Sequence, residues 1–172
     1  SRVEEKFIGS NRFASQTSKV PYIIVDSFPD LGLLTSLRFL EWVFKNPKGV
    51  ISLPTGKTPE YFIKWTSFLL KNWDSSKVKS IRKKYQLPSK AKPDFSKLHF
   101  IQIDEFYPLN PNQHNSFYNY VCKYYLDSFG ITKARAHLIN TEEITLANNM
   151  HWTEVFPNGI VDLTSVSYTH LR

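Results

Sequence analysis

The stretch Gly49-Val50-Ile51-Ser52-Leu53-Pro54-Thr55-Gly56-Lys57-Thr58-Pro59 constrains the fold more than any other part of this 172-residue chain. A short apolar run ends at a Pro-Thr-Gly turn, and signals for a helix start follow at once. Thr58 is a candidate N-cap, Pro59 suits a first helical turn, and Glu60 complements the positive end of the helix dipole. A strand, a tight glycine turn and a helix N-terminus in succession aim several backbone N–H groups at one point. That geometry favours an anion, most often a phosphate.

The flanking sequence repeats the alternation. Val20-Pro21-Tyr22-Ile23-Ile24-Val25 is a continuous apolar run, which predicts a buried first strand. Ser27-Phe28-Pro29-Asp30 resembles a capping box with proline in the first turn. Leu33, Leu37, Leu40 and Phe44 then recur at helical spacing until Asn46-Pro47-Lys48-Gly49 stops the helix. Val50–Leu53 reads as a second strand and 58–72 as a helix burying Phe62, Trp65 and Leu69. Leu98-His99-Phe100-Ile101-Gln102-Ile103 reads as a third strand running into Asp104-Glu105-Phe106.

A loop with Pro108, Pro111 and His114 leads to Asn115-Ser116, candidate caps for a helix striped by Phe117, Tyr120, Val121 and Tyr124 and ended by Gly130. His137–Asn140 predicts a further short strand, and Thr141-Glu142-Glu143 a helix start or turn. The whole reads as α/β, with a mostly parallel, Rossmann-like sheet and helices on both faces. Ligands collect at the C-terminal ends of such strands, where the loops at 54–58 and 104–105 both fall.

Composition narrows the partners. Apolar residues at 41% and aromatics at 15% are in the globular range. No apolar run is long enough to cross a bilayer and no secretory signal is present, so no membrane partner is expected. Cys122 is the single cysteine, which excludes an internal disulfide framework and makes a reducing, cytoplasmic setting the expectation.

The formal charge of +7 raises the question of nucleic acid, but its location weakens that reading. Residues 71–97 hold nine Lys or Arg and two Asp, a local net of +7, so the remainder is neutral overall. Lys77, Lys79, Arg82, Lys83, Lys84, Lys90 and Lys92 lie in a polar stretch that reads as a solvated surface insertion. An oligonucleotide-binding patch is the minority alternative.

Asp104 and Glu105 carry the chemistry. Adjacent carboxylates after a buried strand are not required by the fold, since Asn, Ser or Gly would end it as well. A carboxylate beside an anion cradle, if desolvated, could act as a general base toward carbon next to a carbonyl. A helix cap, a salt bridge to the basic segment and a Mg²⁺ ligand are the alternatives. Gly56-Lys57-Thr58 invites comparison with a nucleotide-binding loop, but Ile51 stands where that pattern needs glycine and Gly49 comes two residues too early.

Together, Ser52-Leu53-Pro54-Thr55-Gly56-Lys57-Thr58-Pro59 and Ile103-Asp104-Glu105-Phe106, followed by Asn115-Ser116-Phe117, resemble the two blocks of the glucosamine-6-phosphate deaminases. The resemblance covers about residues 20–140. It implies that the phosphate of glucosamine 6-phosphate is held around Thr55, Gly56, Lys57 and Thr58. The aspartate matching Asp104 then removes the C2 proton of the ring-opened sugar, with Glu105 in support. The resulting enolamine is reprotonated at C1 and hydrolysed to fructose 6-phosphate and ammonium. No metal or organic cofactor is implied, because the ammonium group and adjacent carbonyl already acidify C2. A homo-oligomer is conceivable for a full-length member.

Two departures bear on this expectation. Lys57 replaces a second glycine common in the family, and either adds charge to the phosphate site or points to solvent. The family's glycine-rich ring-opening block, with its Asp, His and later Glu, is absent, which implies a truncated piece, inactive or severely impaired by itself. Residues 1–19 then form a lead-in, 20–164 a partial domain, and 165–172 a tail of doubtful origin. A 6-phosphogluconolactonase-like hydrolase and a non-catalytic sugar-phosphate-binding domain remain the alternatives.

Overall fold

The computed structural model of the chain describes residues 1–8, 19, 22–87, 91–107, 109–155 and 157. Three short strands form one parallel sheet in the order β1 (Val50–Ile51), β2 (His99–Ile101), β3 (Ala136–His137). Val50 pairs with His99 and Ile51 with Phe100; Phe100 pairs with Ala136 and Ile101 with His137. The α/β class and the parallel order match the alternation read from the sequence. The strand candidates at 50–53, 98–103 and 137–140 are each realised as two or three paired residues.

Laterally paired residues share a face of the sheet. Ile51 and Phe100 are buried, with Gln102 two residues on, whereas Val50, Ile101 and Ile103 are 58%, 44% and 59% exposed. The core lies on the Phe100 side. Phe100 meets Tyr125 at 5.8 Å, and Phe39, Phe62, Phe95 and Phe129 form a ring cluster with centroids 5.4–6.0 Å apart.

Helix α1 (Arg2–Ile8) adds Val3 and Phe7 to this core. Helix α2 (Phe28–Lys45) starts as its sequence predicts: Ser27 caps it, accepting from the Asp30 N–H while its hydroxyl donates to the Asp30 carboxylate. Leu33, Leu37, Leu40 and Val43 give it a buried stripe. Helix α3 (Glu60–Lys71) crosses it closely at Gly32, where a Cβ would lie 2.5 Å from Tyr61 Cβ. Ser36 and Thr66 join the two helices from inside: the Thr66 hydroxyl donates to Ser36 Oγ at 3.0 Å, and Ser36 donates to the Gly32 carbonyl at 2.7 Å.

Three local expectations are corrected. Residues 22–25 do not form a sheet strand: Ile23 makes a lone bridge, and Tyr22 and Ile24 are exposed while Ile23 and Val25 pack on the core. Alternate burial, not burial on both faces, accounts for the apolar run there; Val20 and Pro21 lie outside the described residues. Helix α3 has Pro59 at its N-cap and no side-chain cap, so Thr58 does not cap it. A turn from Lys57 O to Glu60 N at 3.1 Å uses the space before the helix. The long helix after Ser116 is not uniformly α: α5 (Phe117–Val121) passes through a π turn at Cys122–Leu126 into α6 (Asp127–Phe129). The extra residue makes Tyr125, not Tyr124, the buried aromatic. Gly130 ends it at φ +79°, as expected.

The basic segment is polar outside and apolar beneath. Helix α4 (Ser76–Lys84) buries Val78, while Trp73, Tyr85, Leu87 and Phe95 enter the core. Several of its cations lie over the chain's own rings: Arg82 over Trp73 at 4.2 Å, Lys77 over Phe68 at 5.3 Å and Lys84 over Tyr85 at 4.9 Å. A short helix, α7 (Trp152–Val155), follows β3. The tail 165–172 lies outside the described residues. Among those described, no helix is long and apolar enough to cross a membrane.

Candidate functional site

The cradle begins where β1 stops. Ser52 holds the departing chain to its neighbour by donating its hydroxyl to the Ile101 carbonyl of β2. The turn then passes through Thr55 and Gly56, both half-buried, to Lys57 and Thr58, both exposed. Gly56 sits at φ +90°, a left-handed conformation that L side chains rarely adopt, which is the physical reason for glycine there. Helix α3 has no side-chain cap, and the Lys57 carbonyl takes the Glu60 N–H at its start at 3.1 Å. The Lys57 side chain is exposed beside the turn.

Two tyrosines fix the cradle from below. Tyr120 Oη donates to the Gly56 carbonyl at 2.8 Å, and Tyr125 Oη donates to the Pro54 carbonyl. Burial, with Tyr124 and Glu60 adding to it, pushes the Tyr120 phenol up to about 12. Burial, helped by Tyr120, also pushes Tyr125 well above its usual value. Both therefore remain protonated donors at neutral pH. In the sequence Tyr120 stands only as part of an apolar stripe, and nothing marks Tyr125. A buried phenol needs a partner for its hydroxyl, and that was the signal available.

Asp104 and Glu105 follow β2 by three and four residues and have different surroundings. Glu105 is half-buried and accepts four hydrogen bonds: Ser116 Oγ at 2.8 Å, and the N–H groups of Phe106 at 3.0 Å, Phe117 at 3.1 Å and Tyr118 at 2.7 Å. Ser116 Oγ takes the Asn119 N–H at 3.2 Å, and the Ser116 carbonyl takes Tyr120 N at 3.0 Å. The N–H groups opening α5 are thus all satisfied, with a carboxylate at the positive end of the helix. Of the roles open for Glu105 in the sequence, the helix cap is the one this geometry makes.

Asp104 is exposed, so the desolvation that would favour a base at this position is not present in this arrangement. Its main chain is nonetheless fixed. Gln102 Nε2 donates to the Asp104 carbonyl at 2.8 Å, while Gln102 Oε1 accepts from Ile139 N at 3.0 Å, tying the loop to the end of β3. Gln102 was not singled out in the sequence either. Its burial between exposed Ile101 and Ile103 follows from strand alternation.

Both loops are therefore held by one helix. The N-terminus of α5 grips Glu105, next to Asp104, and its continuation grips Pro54 and Gly56. A groove of about 610 Å³ lies to one side of the carboxylates. It runs between α2 and β1, lined by Phe28, Leu31, Phe39, Trp42 and Val50, and meets the cradle at Ser52, Leu53, Pro54, Thr58 and Pro59. It contains neither carboxylate. No group of three or more His, Cys, Asp or Glu able to hold a metal occurs among the described residues.

No family model matches the sequence, and no curated protein matches it. Among solved structures the chain is similar to one described as a monomeric glucosamine-6-phosphate deaminase, a missing link of the NagB superfamily. The TM-score is 0.51 at 17% identity, over 68% of this chain and 41% of that one. The chain therefore spans about two-fifths of that structure. At this identity the likeness is one of fold.

Proposed function

We propose that this chain carries the sugar-phosphate cradle and proton-abstracting carboxylate of an enzyme that isomerises and deaminates a phosphorylated amino sugar, glucosamine 6-phosphate. One observation carries the reading: a single helix fastens the Pro54–Gly56 turn and the Asp104-Glu105 loop to each other. An anion cradle alone is common; a cradle locked in register with a carboxylate-bearing loop is what carbon-acid chemistry on a phosphorylated substrate needs. The similarity in fold to a glucosamine-6-phosphate deaminase supports the choice of substrate.

In this reading Thr55, Gly56, Lys57 and Thr58 bind the phosphate, and Lys57 adds a solvent-screened charge. Asp104 takes the C2 proton of the open-chain sugar. Glu105 serves as a positioning residue, because its two oxygens are already committed to Ser116 and three backbone N–H groups. Substrate binding is expected to supply the desolvation Asp104 lacks in the free chain.

The test is exchange of the C2 proton of glucosamine 6-phosphate into D₂O, followed by proton NMR, beside an ammonium-release assay. Wild-type protein is expected to bind the sugar phosphate; catalysed exchange is expected only where a ring-opening block is also present. Asp104→Asn should bind with similar affinity and exchange at least 100-fold more slowly, on the scale typical for losing a positioned base. Binding without exchange even in the presence of a ring-opening block would leave a sugar-phosphate-binding domain and refute catalysis. Hydrolysis of 6-phosphogluconolactone without ammonium release would replace the deaminase by a lactonase.

A further inference from the structure

We infer that the phenol hydroxyls of Tyr120 and Tyr125, brought to one face by the π turn, are positioning residues that set the Thr55 and Lys57 N–H groups for an incoming phosphate. This rests on the sugar-phosphate reading above and specifies how its cradle is held open. Two residues five apart on a regular α-helix point about 140° away from each other. They could not both reach one loop. The π turn at Cys122–Leu126 closes hydrogen bonds over five residues, and this brings Tyr125 beneath Tyr120, with ring centroids 5.9 Å apart. From there one hydroxyl takes the Gly56 carbonyl and the other the Pro54 carbonyl.

Each carbonyl shares a rigid trans plane with the N–H of the following residue, which lies on the opposite edge. Fixing the Pro54 carbonyl toward the helix therefore turns the Thr55 N–H away from it. Fixing the Gly56 carbonyl does the same for the Lys57 N–H. Gly56 between them, at φ +90°, would otherwise be the softest point of the turn. The two phenols hold the planes on either side of it. An anion arriving at the cradle then meets donors already oriented, without the cost of ordering them.

The experiment uses ¹⁵N-labelled protein carrying Tyr120→Phe, Tyr125→Phe or both, with Tyr124→Phe as control. Three quantities are read: ¹⁵N backbone order parameters at Thr55 and Lys57 in the free protein, affinity for inorganic phosphate and for glucosamine 6-phosphate, and thermal midpoint. The order parameters at the two amides should fall. Affinity for both anions should fall about fivefold per hydroxyl and about 25-fold in the double variant, the scale of one net hydrogen bond each. The Tyr124→Phe protein should match wild type.

Unchanged order parameters at Thr55 and Lys57 would overturn the clamp. Lower order parameters with unaltered anion affinity, or a lowered thermal midpoint alone, would make the phenols structural and overturn the positioning role. If wild-type protein binds neither anion, the sugar-phosphate reading itself fails and the clamp has no ligand to serve. If wild type binds and the variants bind equally, the clamp alone fails. Should Tyr125→Phe not fold, Tyr120→Phe carries the test, since Tyr120 is only half-buried.

Discussion

The Glu105 carboxylate accepts the Ser116 hydroxyl at 2.8 Å while also taking the Phe117 and Tyr118 N–H groups, so a strand-end loop and a helix start are one structural unit. Removing the carboxylate leaves the opening donors of α5 without their acceptor. Glu105→Ala is expected to cost about 2 kcal/mol of stability and Ser116→Ala about 1 kcal/mol. The double variant should lose less than the sum, since both residues serve the same cap. Urea unfolding of the four proteins checks this; simple additivity would mean the two act independently.

Gly56 separates backbone strain from crowding. A Cβ built there meets nothing within 4 Å, yet φ is +90°. Gly56→Ala should therefore cost about 1–2 kcal/mol through conformation alone and weaken phosphate binding. Urea midpoints paired with phosphate titration report both; an Ala variant as stable as wild type would show that the turn relaxes freely.

Gly32 is the opposite case. In the middle of α2, alanine would gain about 1 kcal/mol in helix propensity. Its Cβ would lie 2.5 Å from Tyr61 Cβ and 2.6 Å from the Tyr61 carbonyl carbon, so the helices must separate. Overpacking against backbone should win, with a net loss of about 2 kcal/mol. An equilibrium unfolding curve at or above the wild-type midpoint would contradict the close crossing.

Glu41 gives a pH dependence. Burial of its carboxyl opposes ionisation, but hydrogen bonds from Ser1 and Arg38 and the charges of Arg38 and Lys45 outweigh it, holding its pKa below the ordinary 4.5. A depressed folded value means the stabilisation is complete above 4.5 and is lost as pH falls through the folded value. Glu41→Gln should therefore be less stable than wild type at about pH 6, with the gap closing by about pH 3. Chemical unfolding at both pH values checks the sign.

Much of the fold was readable because strong local signals agreed with the tertiary outcome. Ser27 with Asp30, the leucine stripe of α2, Ser116 and Gly130 each act where their chemistry says they should. The failures were tertiary. Thr58 looked like a cap, but the Lys57–Glu60 turn took its place. The Val20–Val25 run looked like a buried strand, yet the described part buries only alternate residues. At the site, the cradle and the two carboxylates were visible as motifs, and nothing in their spacing distinguished a base from a cap at Glu105. That distinction depends on Ser116, Phe117 and Tyr118 arriving from eleven to thirteen residues away. The π turn, and with it the pairing of Tyr120 and Tyr125, left no mark on a helical periodicity.

The Thr55–Thr58 turn is expected to bind a sugar phosphate. Titrating glucosamine 6-phosphate into ¹⁵N-labelled protein tests it directly. The predicted result is amide shifts concentrated at Thr55, Gly56, Lys57 and Thr58, reproduced by inorganic phosphate and absent with unphosphorylated glucosamine. Shifts confined to the groove between α2 and β1 or to α4, or no shifts at all, would contradict it.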